Sequence, residues 1–282
     1  GCSFARHAMA MPIPQGKTLV HVTNDEADIN RNYRAEYPVV GDAKLVLGQM
    51  IEACRDIVGE GRKGNQATPL EIKSERDAWL NDWRDKLSYR GQPINPYRVI
   101  WEFMHTIPPQ DAIVTHDSGS PRDQIMPFYK ATNPFGYIGW GKTTHLGYGI
   151  PLMIGAKMAD PEKFCMNFMG DLAFGHTAME IETAVRAGIP ITSLIINNLT
   201  MGGYDKSMPT AMERYGAGNQ SGAYAGVARA LGAKAINVEE AAGVGPAIQE
   251  AQEANKNGEV VVIEVRTRQD TRFSAYPELL AP

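Results

Sequence analysis

FCMNFMGDLAFGHTAMEIETAVRAGIPITSLIINN, residues Phe164 to Asn198, reads as strand, helix, strand. FCMNFMGD, Phe164 to Asp171, and ITSLIINN, Ile191 to Asn198, are near-continuous apolar runs of strand length. The segment between them, Thr177 to Ala187, has apolar residues at helical spacing. Strands without polar alternation are buried on both faces, and that pattern belongs to a parallel sheet covered by helices. Each strand ends in a polar residue, and in open parallel sheets ligands lie at the carboxyl ends of strands.

Working outward, the same alternation continues in both directions. Before it come a helix from Pro96 to His105, the strand AIVTHD, Ala112 to Asp117, and a small-residue helix from Gly147 to Met158. After it come a helix from Gly222 to Leu231, a strand from Ala233 to Val238, a helix from Glu239 to Ala254 and the strand EVVVIEV, Glu259 to Val265. The loop running to Tyr215, with Met208, Pro209 and Met212, reads equally as a lid or as an ordered surface loop. Residues 92–282 therefore read as one α/β domain. Ahead of it, residues 59–91 read as a linker helix region, with Trp79, Leu80, Trp83 and Leu87 as a packing stripe. Residues 1–58 carry one strand, KTLVHV, and one helix from Asp42 with Leu45, Leu47, Met50, Ile51, Cys54 and Val58 as its apolar positions. One βα unit cannot bury itself, so this stretch reads as the tail of a second α/β domain.

The 282 residues are 43% hydrophobic and 21% charged, which excludes disorder, collagen and coiled coil. A net charge of −4, from 28 basic against 32 acidic residues, supplies no field for phosphate backbones, so no nucleic-acid partner is expected. No run approaches the roughly 20 apolar residues of a membrane span, and no membrane partner or leader is read. Cys2, Cys54 and Cys165 have no CxxC spacing, which fits a cytoplasmic protein without a cysteine metal site.

Asp171 and Asn198 supply a carboxylate and an amide oxygen at two strand ends, the hard-ligand set that Mg²⁺ combines with phosphate oxygens and water. Leu172, Ala173 and Phe174 lead into a helix start, where free N–H groups favour an anion. Taken singly, Asp171 is also an ordinary helix cap and Asn197-Asn198 an ordinary turn. GYGIPL at Gly147 lacks the third glycine of a dinucleotide fingerprint and opens no first βαβ unit, which excludes a nicotinamide dehydrogenase.

GDLAFGHTAMEIETAVRAGIPITSLIINN resembles the cofactor motif of thiamine diphosphate enzymes, which begins Gly-Asp-Gly and closes on Asn-Asn. TLVHVTNDEADINRNYRAEYPVVGDAKLVL is similar to the end of the central domain in the acetolactate synthase-like group. VTHDSGSPRDQIMPFY and GWGKTTHLGYGIPLMIGA resemble the two loops that precede the motif there. The resemblance implies a thiamine diphosphate-binding fold and a C–C bond lyase, carboligase or decarboxylase acting on a 2-oxo acid or related carbonyl compound. It implies that Asp171, Asn198 and the Thr200 carbonyl coordinate Mg²⁺. Ser118, Gly119, Ser120, Gly170, Leu172, Ala173, Met201 and Gly202 would line the cofactor. Leu146 would wedge under its bent rings, and the Thr144 carbonyl would meet the aminopyrimidine. His145, beside the wedge, is the candidate proton donor or acceptor. His116 and His176 flank the region, and Asp117 either orients the diphosphate loop or caps it.

Departures from the family pattern are local. Leu172 replaces the second glycine, Ala173 removes a hydroxyl, and Pro121 removes an N–H, for which Arg122 is the alternative donor. The activating glutamate of the family lies on a pyrimidine-binding domain that this sequence does not contain, and Glu180 and Glu182 follow Asp171 on the diphosphate side. The resemblance thus implies a partner polypeptide carrying that domain and a dimer or tetramer of complete units. The chain starts at Gly1, inside what resembles the central domain, which leads us to expect a cleaved or truncated precursor. A 2-hydroxyacyl-CoA lyase or oxalyl-CoA decarboxylase-like enzyme, with Arg266, Arg268 and Arg272 toward CoA phosphates, and a non-catalytic cofactor-binding subunit are the alternatives. Whether FAD binds stays open.

Overall fold

The computed structural model describes residue 4 and residues 12–59, 64–65, 67–139, 145–202 and 207–273. The chain divides into two compact units, with the division between Trp79 and Leu80. In the first, β1 (Val20–Thr23) pairs in parallel with β2 (Tyr37–Val40), Val20 opposite Tyr37. Sequence reading passes over β2 because Pro38 demotes a four-residue run. The helix α1 (Ala43–Val58) is capped by Asp42, whose carboxylate accepts from the Lys44 and Leu45 amides at 2.9 and 3.1 Å. Of α1 only Val46 is buried, and Leu45, Leu47, Met50, Ile51 and Val58 are exposed. The second helix, α2 (Ala67–Asp82), buries nothing, so the expected linker helix breaks at Trp83.

The second unit holds α3 (Arg84–Leu87), α4 (Pro96–Thr106), α5 (Ser120–Ile125), α6 (Gly149–Ala159), α7 (Asp171–Thr177), α8 (Glu180–Ala187), α9 (Pro209–Tyr215), α10 (Tyr224–Ala230) and α11 (Val244–Lys256). Its strands are β3 (Ala112–His116), β4 (Tyr137–Ile138), β5 (Phe164–Gly170), β6 (Thr192–Asn197), β7 (Lys234–Val238) and β8 (Val261–Arg266). They form a wholly parallel sheet in the order β4, β3, β5, β6, β8, β7. The apolar runs explain it: β3 and β6 are buried at every position, as parallel strands between two helical layers must be. One layer packs α6, α8 and α10 on Cys165, Met169, Ile195 and Val262. On the other, Phe103 of α4 meets the Phe168 ring edge-on at 5.1 Å, and α11 lies against α4 and β8. Trp83 and Leu87 are core residues, Trp83 packing on Tyr97 and Phe128 at 4.8 and 5.4 Å, while Trp79 is half-buried.

Three local readings change. The helix after Asp171 is two helices: at Ala178 and Met179 the backbone stays right-handed but tightens, Ile181 and Glu182 donating to the carbonyls three residues back at 3.0 Å each, and α8 restarts at Glu180. The loop running to Tyr215 contains a helix, α9, with proline at its start and left-handed Gly216 at its end. The segment after Gly119, read as loop, forms α5. Among the described residues, no helix is long and apolar enough to cross a membrane.

Candidate functional site

The sheet order brings the ends of β3, β5 and β6 side by side. His116 pairs with Phe168, and Gly170 with Ile196, so Asp117, Asp171 and Asn197-Asn198 emerge on one edge of three neighbouring strands. Asp117 is wholly buried, yet its carboxylate is saturated by backbone donors. Oδ1 accepts from the Ser118 amide at 2.8 Å and the Gly147 amide at 2.9 Å, and Oδ2 from the Gly149 amide at 3.0 Å. One side chain thus ties the loop 118–120 to the loop 145–149. Burial pushes the Asp117 carboxyl above its ordinary range, and the three amides and nearby His145 oppose that shift. The close approach needs glycine at 149, where a Cβ would lie 2.8 Å from the Asn167 Nδ2 and 3.1 Å from the Asp117 Oδ2.

Asp171 opens α7. Its Oδ1 accepts from the Leu172 amide at 2.9 Å, whereas Oδ2 is buried and, among the described residues, has no hydrogen-bond partner. Burial raises this carboxyl too, against the amides of Leu172 and Leu199 and the charge of Arg266. A buried carboxylate oxygen without a donor is a strong acceptor left for a cation, since an uncompensated buried charge is otherwise costly. Across from it the 197–200 turn is pinned: Asn197 Oδ1 accepts from the Leu199 amide at 3.1 Å, and Asn198 Oδ1 from the Thr200 amide at 3.0 Å. Leu199 sits at φ 55°, in the left-handed region, and its carbonyl is held by the Gln220 amide at 2.9 Å. The Asn198 oxygen keeps a lone pair, and the donor set of carboxylate, amide and backbone carbonyl fits Mg²⁺. Among the described residues there is no cluster of three His, Cys, Asp or Glu, so softer metals have no site of that kind.

The remaining candidates distribute around this edge. A Cβ on Gly202 would lie 3.6 Å from the Ser120 hydroxyl and 4.0 Å from the Gln269 amide nitrogen, so the loops 118–120 and 200–202 meet. Leu146 packs half-buried on the apolar layer of α6 and α8. His145 is exposed beside it, and His176 is exposed on α7. Ala173 is buried, and Leu172 is half-buried. Thr144 lies outside the described residues. His116 is buried among Tyr137 and Tyr148, its Nδ1–H donating to the Asp117 carbonyl at 3.3 Å. Burial lowers it to about 4, so it is neutral at physiological pH. Arg122 is committed to Asp123 through two bonds of 2.5 and 2.8 Å. Sequence reasoning passes over Glu264 and Gln269; the available signal for Glu264 is a carboxylate interrupting the apolar run VVVIEV, Val260 to Val265.

Comparison with known proteins places the chain in a family. The family model for the thiamine pyrophosphate enzyme C-terminal TPP binding domain matches residues 117–265. A sulfoacetaldehyde acetyltransferase of Castellaniella defragrans is 31% identical over 89% of the chain and 45% of its own length. A probable acetolactate synthase large subunit of Methanocaldococcus jannaschii is 30% identical over 67% of the chain and 32% of its length. The acetolactate synthase isozyme 3 large subunit of Escherichia coli is 29% identical over 66% of the chain and 32% of its length. The chain thus spans less than half the length of these relatives.

Proposed function

The chain belongs to the thiamine pyrophosphate enzymes, whose C-terminal TPP binding domain it carries, and from that premise we propose that it forms the diphosphate side of an active site for thiamine diphosphate and Mg²⁺. The observation that carries this reading is the buried Oδ2 of Asp171, without a donor among the described residues, at the end of the strand beside the one that leads into the pinned Asn198 turn. Asp171, Asn198 and the Thr200 carbonyl would hold the cation. Gly170, Leu172, Ala173, Ser118, Gly119, Ser120, Met201 and Gly202 would surround the diphosphate, largely through backbone N–H groups. Leu146 would support the bent cofactor, with the Thr144 carbonyl at its aminopyrimidine edge.

When bound, the cofactor supplies a carbon nucleophile and an electron sink for breaking or making a C–C bond next to a carbonyl. The protein's own residues place and shield it. Asp117 fixes two of the enclosing loops, α6 and α8 give Leu146 its footing, and His145 holds or accepts a proton at an imidazole nitrogen. The substrate would be a 2-oxo acid or related carbonyl compound, and the names of the relatives, an acetyltransferase and synthases, favour transfer or ligation of the fragment. The activating glutamate and the rest of the pocket would come from a pyrimidine-binding domain on a partner polypeptide, in a dimer or tetramer of complete units. A CoA-dependent activity has less support, because Arg268 lies over Tyr89 at 5.1 Å, Arg272 over Trp83 at 4.9 Å, and Arg266 reaches the Asn197 carbonyl.

Calorimetric titration of thiamine diphosphate with Mg²⁺ into the chain and into Asp171→Ala tests the reading. Micromolar binding that disappears in the variant is the expected result. A wild-type chain that binds neither would sink it.

A further inference from the structure

We infer that Glu264 is a positioning residue that sets the metal-binding turn through Asn197; this rests on the reading of Asp171, Asn198 and Thr200 as the cation site. Glu264 is half-buried on a parallel strand paired on both sides, where a polar group is costly unless its oxygens are engaged. Glu264 lies on β8 between Ile195 of β6 and Asn237 of β7, and both of its oxygens are used. Oε1 accepts from the Asn197 Nδ2 at 2.6 Å, and Oε2 accepts from the Ala225 amide, in the first turn of α10, at 2.6 Å. Both bonds are short and charge-assisted, the stronger class of hydrogen bond.

What Glu264 holds matters more than the bonds themselves. Asn197 is buried, its own carbonyl accepts from the Thr267 amide at 2.8 Å, and its side chain can satisfy the Leu199 amide only if the Nδ2 end points at Glu264. Leu199 in turn occupies a left-handed conformation, which a branched residue adopts only when its surroundings impose it. The path from Glu264 to Asn197 to Leu199 therefore fixes the backbone that presents the Asn198 side chain and the Thr200 carbonyl. The second oxygen anchors that path to α10, so the turn is braced against both β8 and the start of a helix.

The two ends of the Asn197–Glu264 bond are an amide and a carboxylate, which permits an exchange of chemistry. In Glu264→Gln the two N–H donors face one oxygen and one NH₂, and one donor is left opposed to another donor. In Asn197→Asp two carboxylates face each other. In the double variant the amide introduced at position 264 donates through its NH₂ to the carboxylate introduced at position 197, while its oxygen still accepts from Ala225. The summed charge of the pair is then that of the wild type.

The test uses the full chain and these three variants, with two readouts. Mg²⁺ affinity is titrated calorimetrically at fixed thiamine diphosphate, and amide hydrogen exchange is measured on the metal-free chain over 197–200 and 224–226. Supporting residues around metal ligands are worth about 10–100-fold in affinity, so each single variant should weaken Mg²⁺ by about that factor and speed exchange at the turn. The double variant should recover both. Unchanged Mg²⁺ affinity in Glu264→Gln overturns the inference. So does a double variant that regains protection at 224–226 but not the metal, since Glu264 would then be only a helix cap. A wild-type chain that takes up no Mg²⁺ overturns the cation reading instead, and the metal-free exchange data still decide whether Glu264 holds the turn.

Discussion

Asp171 shows how a single side chain trades stability for binding. Burial holds its carboxyl above the ordinary range, so the folded chain binds that proton more tightly than the unfolded chain does. Stability is therefore lost as pH rises from the unfolded carboxylate value through the raised folded one, and the deficit is full once the pH has passed the folded value. Asp171→Asn removes the charge, and in EDTA near pH 7 the variant should melt about 2–4 °C higher than wild type, the gap closing below about pH 4. With Mg²⁺ and thiamine diphosphate the order should reverse, because only the wild type gains stability from ligand binding. Equal melting curves in EDTA across that pH range would show that the buried oxygen carries no penalty. Asp117 is the opposite case, a buried carboxylate whose oxygens are all paired. Asp117→Asn keeps one acceptor for three amides, so urea unfolding should show a loss of about 1–3 kcal/mol.

At the scale of elements, the site depends on how closely loops and helices approach. Gly149 begins α6 against the Asn167 side chain and the Asp117 carboxylate. Gly149→Ala should cost about 1–3 kcal/mol in denaturant unfolding and weaken cofactor binding with it, because a Cβ there must push either β5 or the bridging aspartate. A variant that lost stability but bound normally would separate the packing of α6 from the geometry of the site. The strands were largely legible in the sequence, since AIVTHD, FCMNFMGD, ITSLIINN and EVVVIEV are apolar runs of the right length with polar ends. The break between α7 and α8 was not, because no glycine or proline marks the joint at Ala178 and Met179, where the backbone only tightens to bonds three residues back. The two-residue strand β4 was hidden for a similar reason: Tyr137 and Ile138 pair with Val114 and Thr115 only because β3 is already in place.

On the scale of the whole molecule, the chain spans less than half of relatives whose lengths exceed its own, and the proposed site is one side of a cofactor pocket. The chain alone should show no C–C bond chemistry on 2-oxo acids, and mixing it with a polypeptide carrying a pyrimidine-binding domain should restore turnover, measured as loss of substrate by mass spectrometry. Turnover by the isolated chain at a comparable rate would place the activating group within it. His145→Ala in the reconstituted enzyme should lower kcat with little change in cofactor affinity, because His145 is exposed rather than among the buried carboxylates.

By itself the amino-acid sequence determined the α/β class and the covered parallel sheet, and it singled out Asp171 and Asn198 as polar strand ends, because these follow from periodicity and from which residue types can end a buried strand. Tertiary structure alone decided the rest. The order of strands placed three ends together, a bare oxygen on Asp171 and a saturated one on Asp117 set two identical side chains apart, and Glu264 became visible as a brace. Those distinctions rest on which distant N–H group lies within hydrogen-bond distance of which oxygen, and chain spacing carries no record of that.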